Sequence, residues 1–471
     1  MINDLSTNIE GSYSEKRTSW TKATIEDKMN YKEVVANKLS SIKVPNCLDC
    51  SDLHCRHHST AIEDYTASVL EAIEDSAKET LPSTGGGGGH KKYNSVAGWN
   101  DYVKPYYQES KFWHSVWTSA GKPLTGGVYS LMRQTKAQYR YAFRRVSRAR
   151  NKIQNDQFVN ELLEGDINLF DAIKRKRGKI NKCSNTIDGE VGAGNIAQCF
   201  SDIYSRLYNK VEHNEQFLDL QQNLEQSIKE EDMFEVHRIT EDIVRKGLES
   251  MKGNKSDALY DFRSDCLING PPELITHLTN MLRLFVSHGE VPHSILVCTL
   301  IPLVKDSLGD ITSSDNYRAI AAGSQLVKLL DIVILLLEGD KLGCDQLQFG
   351  FQSKASPTMC SWVATAIIDY YNRQGAVVYG CAMDLSKAFD LVEWVNLFKV
   401  LETRKVSAVF LRILLFIYKN QSCEVKWNGA RSNRFNVKNG VRQGAVSSPI
   451  LFRVYINDLF LVLRRSGLAV G

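Results

Sequence analysis

Nothing in these 471 residues reads as long and apolar enough to cross a bilayer. The greasiest stretch, Leu326 to Leu337, is interrupted by Lys328 and Asp331 and is too short to span. It reads as a core helix, and no membrane partner is expected. A cysteine framework is also missing. Eleven cysteines are scattered without regular spacing, and the N-terminus is the polar string Met1-Ile2-Asn3-Asp4 rather than a secretory leader. Reduced thiols and an intracellular setting, nucleus or cytoplasm or both, are therefore expected. Charge of one sign is barely in excess: a formal net charge of +4 gives no whole-chain argument for nucleic acid. No internal repeat is visible.

What is there suggests two or three domains, since 471 residues exceed one ordinary core. Residues 1–84 are polar and charged, expected to be partly disordered, with one helix from Ala61 to Leu81. Gly85 to Gly89 is an unbroken glycine run inside a linker over residues 85–92. Residues 93–235 form a helical, basic spacer that opens on an aromatic cluster including Trp99, Tyr102, Tyr106 and Tyr107. Helical patterns run from Ala197 to Lys252. The last region, residues 236–471, holds an amphipathic helix around Leu274 to Phe285 and reads as α/β from Leu300 onward. A hairpin is expected between Cys423–Trp427 and Phe435–Lys438, through Asn428-Gly429 and a longer loop. Ser448 and Pro449 read as the N-cap and first position of a helix reaching about Arg465.

Basic charge is clustered although the total is mild. Arg133, Lys136, Arg140, Arg144 and Arg148 fall at helical steps, flanked by Arg145, Arg150 and Lys152, and no acidic residue intervenes. Tyr139, Tyr141 and Phe143 are interleaved. One helix can thus lay a cationic face on phosphates, with aromatics for stacking or for the core. A solvated helix face is the alternative, although such faces usually carry both signs. Farther upstream, Cys47-x-x-Cys50 is followed by Cys55, with His54, His57 and His58 nearby. These are enough ligands for tetrahedral Zn²⁺. Loose, reduced thiols are the alternative, because His54 comes one residue early for a Cys-x2-Cys-x4-His knuckle.

Ala376 to Met383 is an apolar run that reads as a buried strand, and it ends on the carboxylate of Asp384. An Asp held there can grip a divalent cation; capping the next helix is the alternative. About fifty residues later comes Gly440-Val441-Arg442-Gln443-Gly444, closing on Ser448-Pro449. Gly440 and Gly444 allow a backbone turn, and Gln443 can offer its amide to a ligand.

Together with Leu300 to Lys305, Asp315-Asn316-Tyr317-Arg318 and Gln348-Phe349-Gly350-Phe351, these strings resemble the reverse transcriptases of non-LTR (LINE-type) retrotransposons. The resemblance covers about Ile239 to Gly471 well, and loosely Gly98 to Pro123 as the spacer upstream of such polymerases. It implies an α/β fold, the fingers and part of the palm of a right-hand polymerase, preceded by a mostly α-helical N-terminal region. It also implies RNA-directed DNA synthesis on an RNA template and a DNA primer, from deoxynucleoside triphosphates, by two-metal chemistry with Mg²⁺ or Mn²⁺.

On that resemblance Asp384 holds metal with the Leu385 carbonyl, Lys305 and Arg318 meet phosphate, and Phe389 excludes a 2′-hydroxyl. Gln443 contacts the incoming nucleotide; Arg442 and Gly444 lie toward template and primer. Asp390 is expected to brace the following helix through Trp394. Two departures from the family pattern stand out. Gln352 and Ala355-Ser356-Pro357-Thr358 replace a basic residue and a Gly/His-x-Ser-Thr string. No Asp-Asp pair occurs in the sequence. The expectation is a chain truncated within the palm that extends no primer by itself. A non-catalytic RNA-binding relic, or a repurposed protein, is the second reading.

Overall fold

Period-two burial builds the central sheet. In Tyr317–Ala322 the side chains of Tyr317, Ala319 and Ala321 are buried while Arg318 between them is exposed. The computed structural model describes residues 17–84, 102–159 and 184–466, apart from residues 51, 53, 54, 56, 150, 154, 157, 158, 212–214, 230, 231, 258, 259, 261, 307, 353 and 354. The glycine run 85–89, Trp99, His54 and Arg150 lie outside the described residues.

Two units are present: residues 1–86 with 184–471, and residues 87–183. This differs from the sequence expectation in two ways. The N-terminal region is not a separate polar segment, and the spacer divides near residue 183 instead of running on to 235.

In the larger unit, β1 (Arg17–Thr18) pairs with β2 (Ser83–Thr84), which brackets α1 (Ile25–Ser40) and α2 (Ser59–Thr80). Thr24 and Asp27 form a capping box that starts α1. Apolar stripes at i, i+3 and i+4 steps (Tyr31, Val35, Leu39 on α1; Ile62, Tyr65, Val69, Ile73 on α2) are buried. Those stripes are the physical reason the region packs rather than staying apart.

The unit continues through the antiparallel pair β3 (Thr186–Ile187) and β4 (Glu190–Val191), then α5 (Ala193–Tyr208), α6 (Glu215–Ser227), α7 (Glu241–Ser250) and α8 (Pro272–His288). Helices α1 and α2 pack on α8; Tyr31 Oη donates to the carbonyl of Cys266 (3.0 Å) in the short helix before α8, and Tyr65 Oη and His277 Nδ1 share a hydrogen bond (2.7 Å). The 184–235 segment joins this unit because α5 packs on the sheet. There Phe200 lies 5.1 Å from the Tyr317 ring and 5.2 Å from the Trp427 ring.

The sheet has the order β6 (Tyr317–Ala322), β5 (Val297–Val304), β7 (Ser422–Trp427), β8 (Ala430–Arg431), with β9 (Phe435–Asn436) also on β7. β5 runs antiparallel to β6 and parallel to β7. The expected hairpin is present: Asn428 (φ 46°) and Gly429 (φ 91°) turn β7 into β8. Helix α9 (Gln325–Glu338) is the expected core helix. It is followed by α10 (Pro357–Arg373), α11 (Trp394–Thr403) and α12 (Ala408–Asn420).

The helix expected from Ser448 is broken. It appears as α13 (Ser448–Tyr455) and α14 (Asn457–Arg465), divided at Ile456. Ser447, not Ser448, is the N-cap residue; it makes no cap hydrogen bond, and its Oγ donates to Asp331 Oδ2 (3.0 Å) on α9. The fold class is thus an α/β domain with a largely helical N-terminal region. The ten described cysteines are all free, and no helix of the described residues is long and apolar enough to cross a membrane.

The smaller unit contains a helical hairpin of α3 (Lys104–Ser119) and α4 (Gly127–Arg148). Trp117 Nε1 donates to the Pro123 carbonyl (2.9 Å) across its turn.

Candidate active site

A cleft of about 740 Å³ in the larger unit collects most of the nominated residues. Lys305 and Arg318 line it from the β5–β6 hairpin, where Leu303 pairs with Arg318 and the Lys305 N–H donates to the Asn316 carbonyl (2.7 Å). Lys305 Nζ donates to the Asp315 carbonyl (2.6 Å), which anchors its ammonium beside Arg318. Arg318 makes no ion pair among the described residues, and both side chains are exposed. Two such cations on a rigid hairpin suit phosphate oxygens.

Asp384, Leu385 and Phe389 enter from the chain after α10, and Gln443 and Gly444 from the loop before α13. Phe389 stacks on Phe452 (4.8 Å, 20°) and meets Phe351 edge-on (6.1 Å), so the ring is fixed where it lines the cleft.

The expected buried strand before Asp384 is not found. Residues 376–385 pair with no described strand, and all but the half-buried Val378 are exposed, Val377 at 75% and Tyr379 at 92%. Apolar and β-branched composition favours a strand only where neighbours supply ladder partners and a face to cover. Asp384 itself is exposed. Just upstream, the departing string has a local structural explanation: Ser356 Oγ accepts from the Met359 N–H (3.2 Å) and Pro357 takes the first helical position of α10.

The two motifs are joined by contacts that sequence reading missed. Asp390 does not brace Trp394. Its carboxylate accepts from Tyr208 Oη (2.9 Å) and from Gln443 Nε2 (2.9 and 3.1 Å). Trp394 Nε1 instead donates to the Gly440 carbonyl (2.8 Å). Burial raises the Asp390 pKa, opposed by the hydrogen bonds from Tyr208 and Gln443 and then by the charges of Lys387 and Lys305. Asn439 Nδ2 donates to the Asp390 carbonyl (2.6 Å), while its Oδ1 accepts from the Lys210 N–H (3.0 Å). With its Nε2 committed, Gln443 has its amide oxygen to offer a ligand. Asn439 directly precedes the glycine loop and was within reach of a sequence argument. Tyr208, 182 residues from Asp390, was not.

The glycines do what their type allows. Gly440 (φ +88°) would place a Cβ 2.7 Å from the Asp390 carbonyl oxygen, and Gly444 (φ +121°) one 2.7 Å from that of Ala321. The Gln443 carbonyl then accepts from the Ala321 N–H (2.7 Å), tying the loop to β6. Arg442, nominated for template or primer, is placed elsewhere. It turns inward to a small void with Lys328 and Asp331, and Nη1 donates to Cys298 Sγ (3.5 Å). There the Cys298 thiol pKa is pulled below its usual value, first by the Cys423 hydrogen bond and then, against burial, by the Arg442 charge.

On α4, Arg133, Lys136, Arg140, Arg144 and Arg148 are all exposed, and the opposite stripe (Met132, Thr135, Ala142, Val146) is buried. The aromatics divide between core and surface. Tyr139 packs 5.5 Å from the Tyr107 ring, whereas Tyr141 is 71% exposed on the rim of a groove of about 1120 Å³.

Of the three nominated cysteines, Cys50 and Cys55 converge with His58 and with the distant His288. Cys47 does not join them. Its side chain is buried in the hydrophobic core, where a thiol packs as a small apolar group.

Residues 305–468 match the family model described as reverse transcriptase (RNA-dependent DNA polymerase). This reverse transcriptase match takes in the whole set Lys305, Arg318, Asp384, Phe389 and Gln443, and leaves out α4 and the Cys/His cluster. The chain is 22% identical over 188 residues to the retrovirus-related Pol polyprotein from type-2 retrotransposable element R2DM of Drosophila melanogaster, covering 40% of this chain and 17% of that protein. It is 23% identical over 184 residues to the retrovirus-related Pol polyprotein from type-1 retrotransposable element R2 of Popillia japonica, covering 39% and 25%. The matched stretch thus spans a quarter or less of the length of these curated relatives.

Proposed function

We propose that this chain carries the nucleotide-binding part of an RNA-directed DNA polymerase from a non-LTR retrotransposon. The observation that carries the reading is the convergence of Lys305, Arg318, Asp384, Phe389 and Gln443 on one cleft, from segments spread over more than a hundred residues. Lys305 and Arg318 would grip the triphosphate, Phe389 would back the sugar, and the Gln443 amide oxygen would meet the base or ribose edge.

The cleft offers hard oxygen donors for Mg²⁺ or Mn²⁺ in the Asp384 carboxylate and the Leu385 carbonyl. A cation bound there would supply charge for nucleotidyl transfer. Among the described residues no three carboxylate, histidine or cysteine ligands converge in the cleft. Asp384 is the carboxylate assigned to hold the ion, and Asp315 and Asp390 line the same cleft.

The test is a titration with fluorescent nucleotides in Mg²⁺. A deoxynucleoside triphosphate is expected to bind more tightly than the matching ribonucleotide. Equal affinity would sink the steric role of Phe389, and no binding of either would sink the reading.

The basic face of α4 is assigned to RNA backbone. Five phosphate contacts on single-stranded RNA predict roughly a 100-fold loss of affinity between 50 and 200 mM salt. Filter binding with wild type and with Arg140, Arg144 and Arg148 neutralised would measure it. Affinity that ignores both salt and substitution would remove α4 from the interface.

A further inference from the structure

The geometry points to a structural Zn²⁺ site made by Cys50, Cys55, His58 and His288, clipping the N-terminal segment to helix α8. It is independent of the polymerase reading. All four ligand atoms lie within 4.8 Å of one another. His58 Nδ1 is 3.3 Å from Cys55 Sγ and 3.2 Å from His288 Nε2. A tetrahedral zinc with Zn–N of about 2.05 Å and Zn–S of about 2.3 Å has N···N edges near 3.3 Å and N···S edges near 3.6 Å. The two His58 spacings, 3.3 and 3.2 Å, are close to edges of that tetrahedron.

The donor chemistry also fits. His288 Nδ1 lies 3.1 Å from the Leu284 carbonyl, which only accepts, and 2.9 Å from Ser287 Oγ, which can give or take a proton; in the tautomer that donates from Nδ1 to Leu284, Nε2 presents a lone pair to the cluster. Holding a ligating imidazole by its other nitrogen is how metal sites fix tautomer and ring orientation. His58 occupies the N-cap position of α2 yet caps nothing with its side chain, which leaves the ring for the cluster. His288 is the last residue of α8, where the carbonyl end of the helix favours a cation. A hydrogen bond can account for one of these contacts, since the single Nδ1 proton of His58 serves one acceptor. A cation accounts for two thiolates and two imidazoles at once.

The consequence is mechanical. Cys50, Cys55 and His58 lie in the connection between α1 and α2, and His288 closes α8 some 230 residues away. Zinc would fasten the N-terminal helices to the unit that contains the cleft, and its binding energy would add to folding energy.

The full chain should be purified anaerobically without chelator and its metal measured by mass spectrometry. About one zinc per chain is expected, lost in Cys55→Ser and His288→Ala and retained in Cys47→Ser. Cobalt exchanged into the wild type should give the d–d bands of a tetrahedral ion with thiolate charge transfer. No zinc together with no tetrahedral cobalt spectrum in the wild type would overturn the proposal, as would full zinc retention by His288→Ala. If His288→Ala does not fold, His288→Cys decides. A third thiolate should raise the cobalt charge-transfer band by about half, and an unchanged band would mean that position 288 is no ligand.

Discussion

Gly440→Ala is expected to lower stability by about 2–4 kcal/mol and to abolish nucleotide binding at ordinary temperature. Two terms add. A left-handed φ of +88° costs an L residue strain, and the new methyl would stand 2.7 Å from the Asp390 carbonyl oxygen, a backbone atom held from the other side by Asn439 Nδ2. The loop cannot back away cheaply, because the Gly440 N–H donates to Val392 and the Val441 N–H to Phe389 (both 2.8 Å).

Gly375→Ala separates the two terms. Gly375 also has positive φ (+74°) but nothing within 4 Å of its would-be Cβ, so only the backbone cost of about 1 kcal/mol applies. Urea melts of both variants give the comparison. If the two lose the same stability, the close approach of the motif loops is wrong.

Neutralising the phosphate-facing cations should give the second large effect. Arg318→Ala is expected to weaken deoxynucleoside triphosphate binding by about 10–100-fold, with little loss of stability, since the side chain is exposed and ion-paired to nothing described. Lys305→Ala should cost less, because Nζ already spends one donor on the Asp315 carbonyl. The double variant should fall short of the product of the two, as both groups hold one ligand. The phosphate count of the ligand is the discriminating variable. A nucleoside should bind wild type and Arg318→Ala alike, whereas a triphosphate should separate them. A nucleoside that discriminates equally well would mean that Arg318 acts through the fold and not through phosphate.

Much of the architecture was legible in order and type. Apolar spacing marked α2 as Ala61 to Leu81 where the helix is Ser59–Thr80, and the amphipathic pattern found α8. Asn428-Gly429 announced its hairpin because both residues tolerate positive φ. The cleft residues were named from local strings, and the structure gathers Lys305, Arg318, Asp384, Leu385, Phe389, Gln443 and Gly444 into one place. The errors share one cause. A strand at 376–383 and a helix brace for Asp390 were each assigned from neighbours in sequence, while packing partners lie far along the chain.

Local residue chemistry set the period of each strong helix and the positions where only glycine turns the backbone. The charged and aromatic groups of the cleft were named from the resemblance of their strings to a polymerase family. Tertiary structure decided where Arg442 points and which carboxylate holds Gln443. It also decided that His288 meets Cys50, Cys55 and His58. Those outcomes depend on segments 144, 53 and 230 residues apart being brought within hydrogen-bond distance. No local propensity encodes that proximity; the packing of α1, α2 and α8 and the lacing of the glycine loop to β6 produce it.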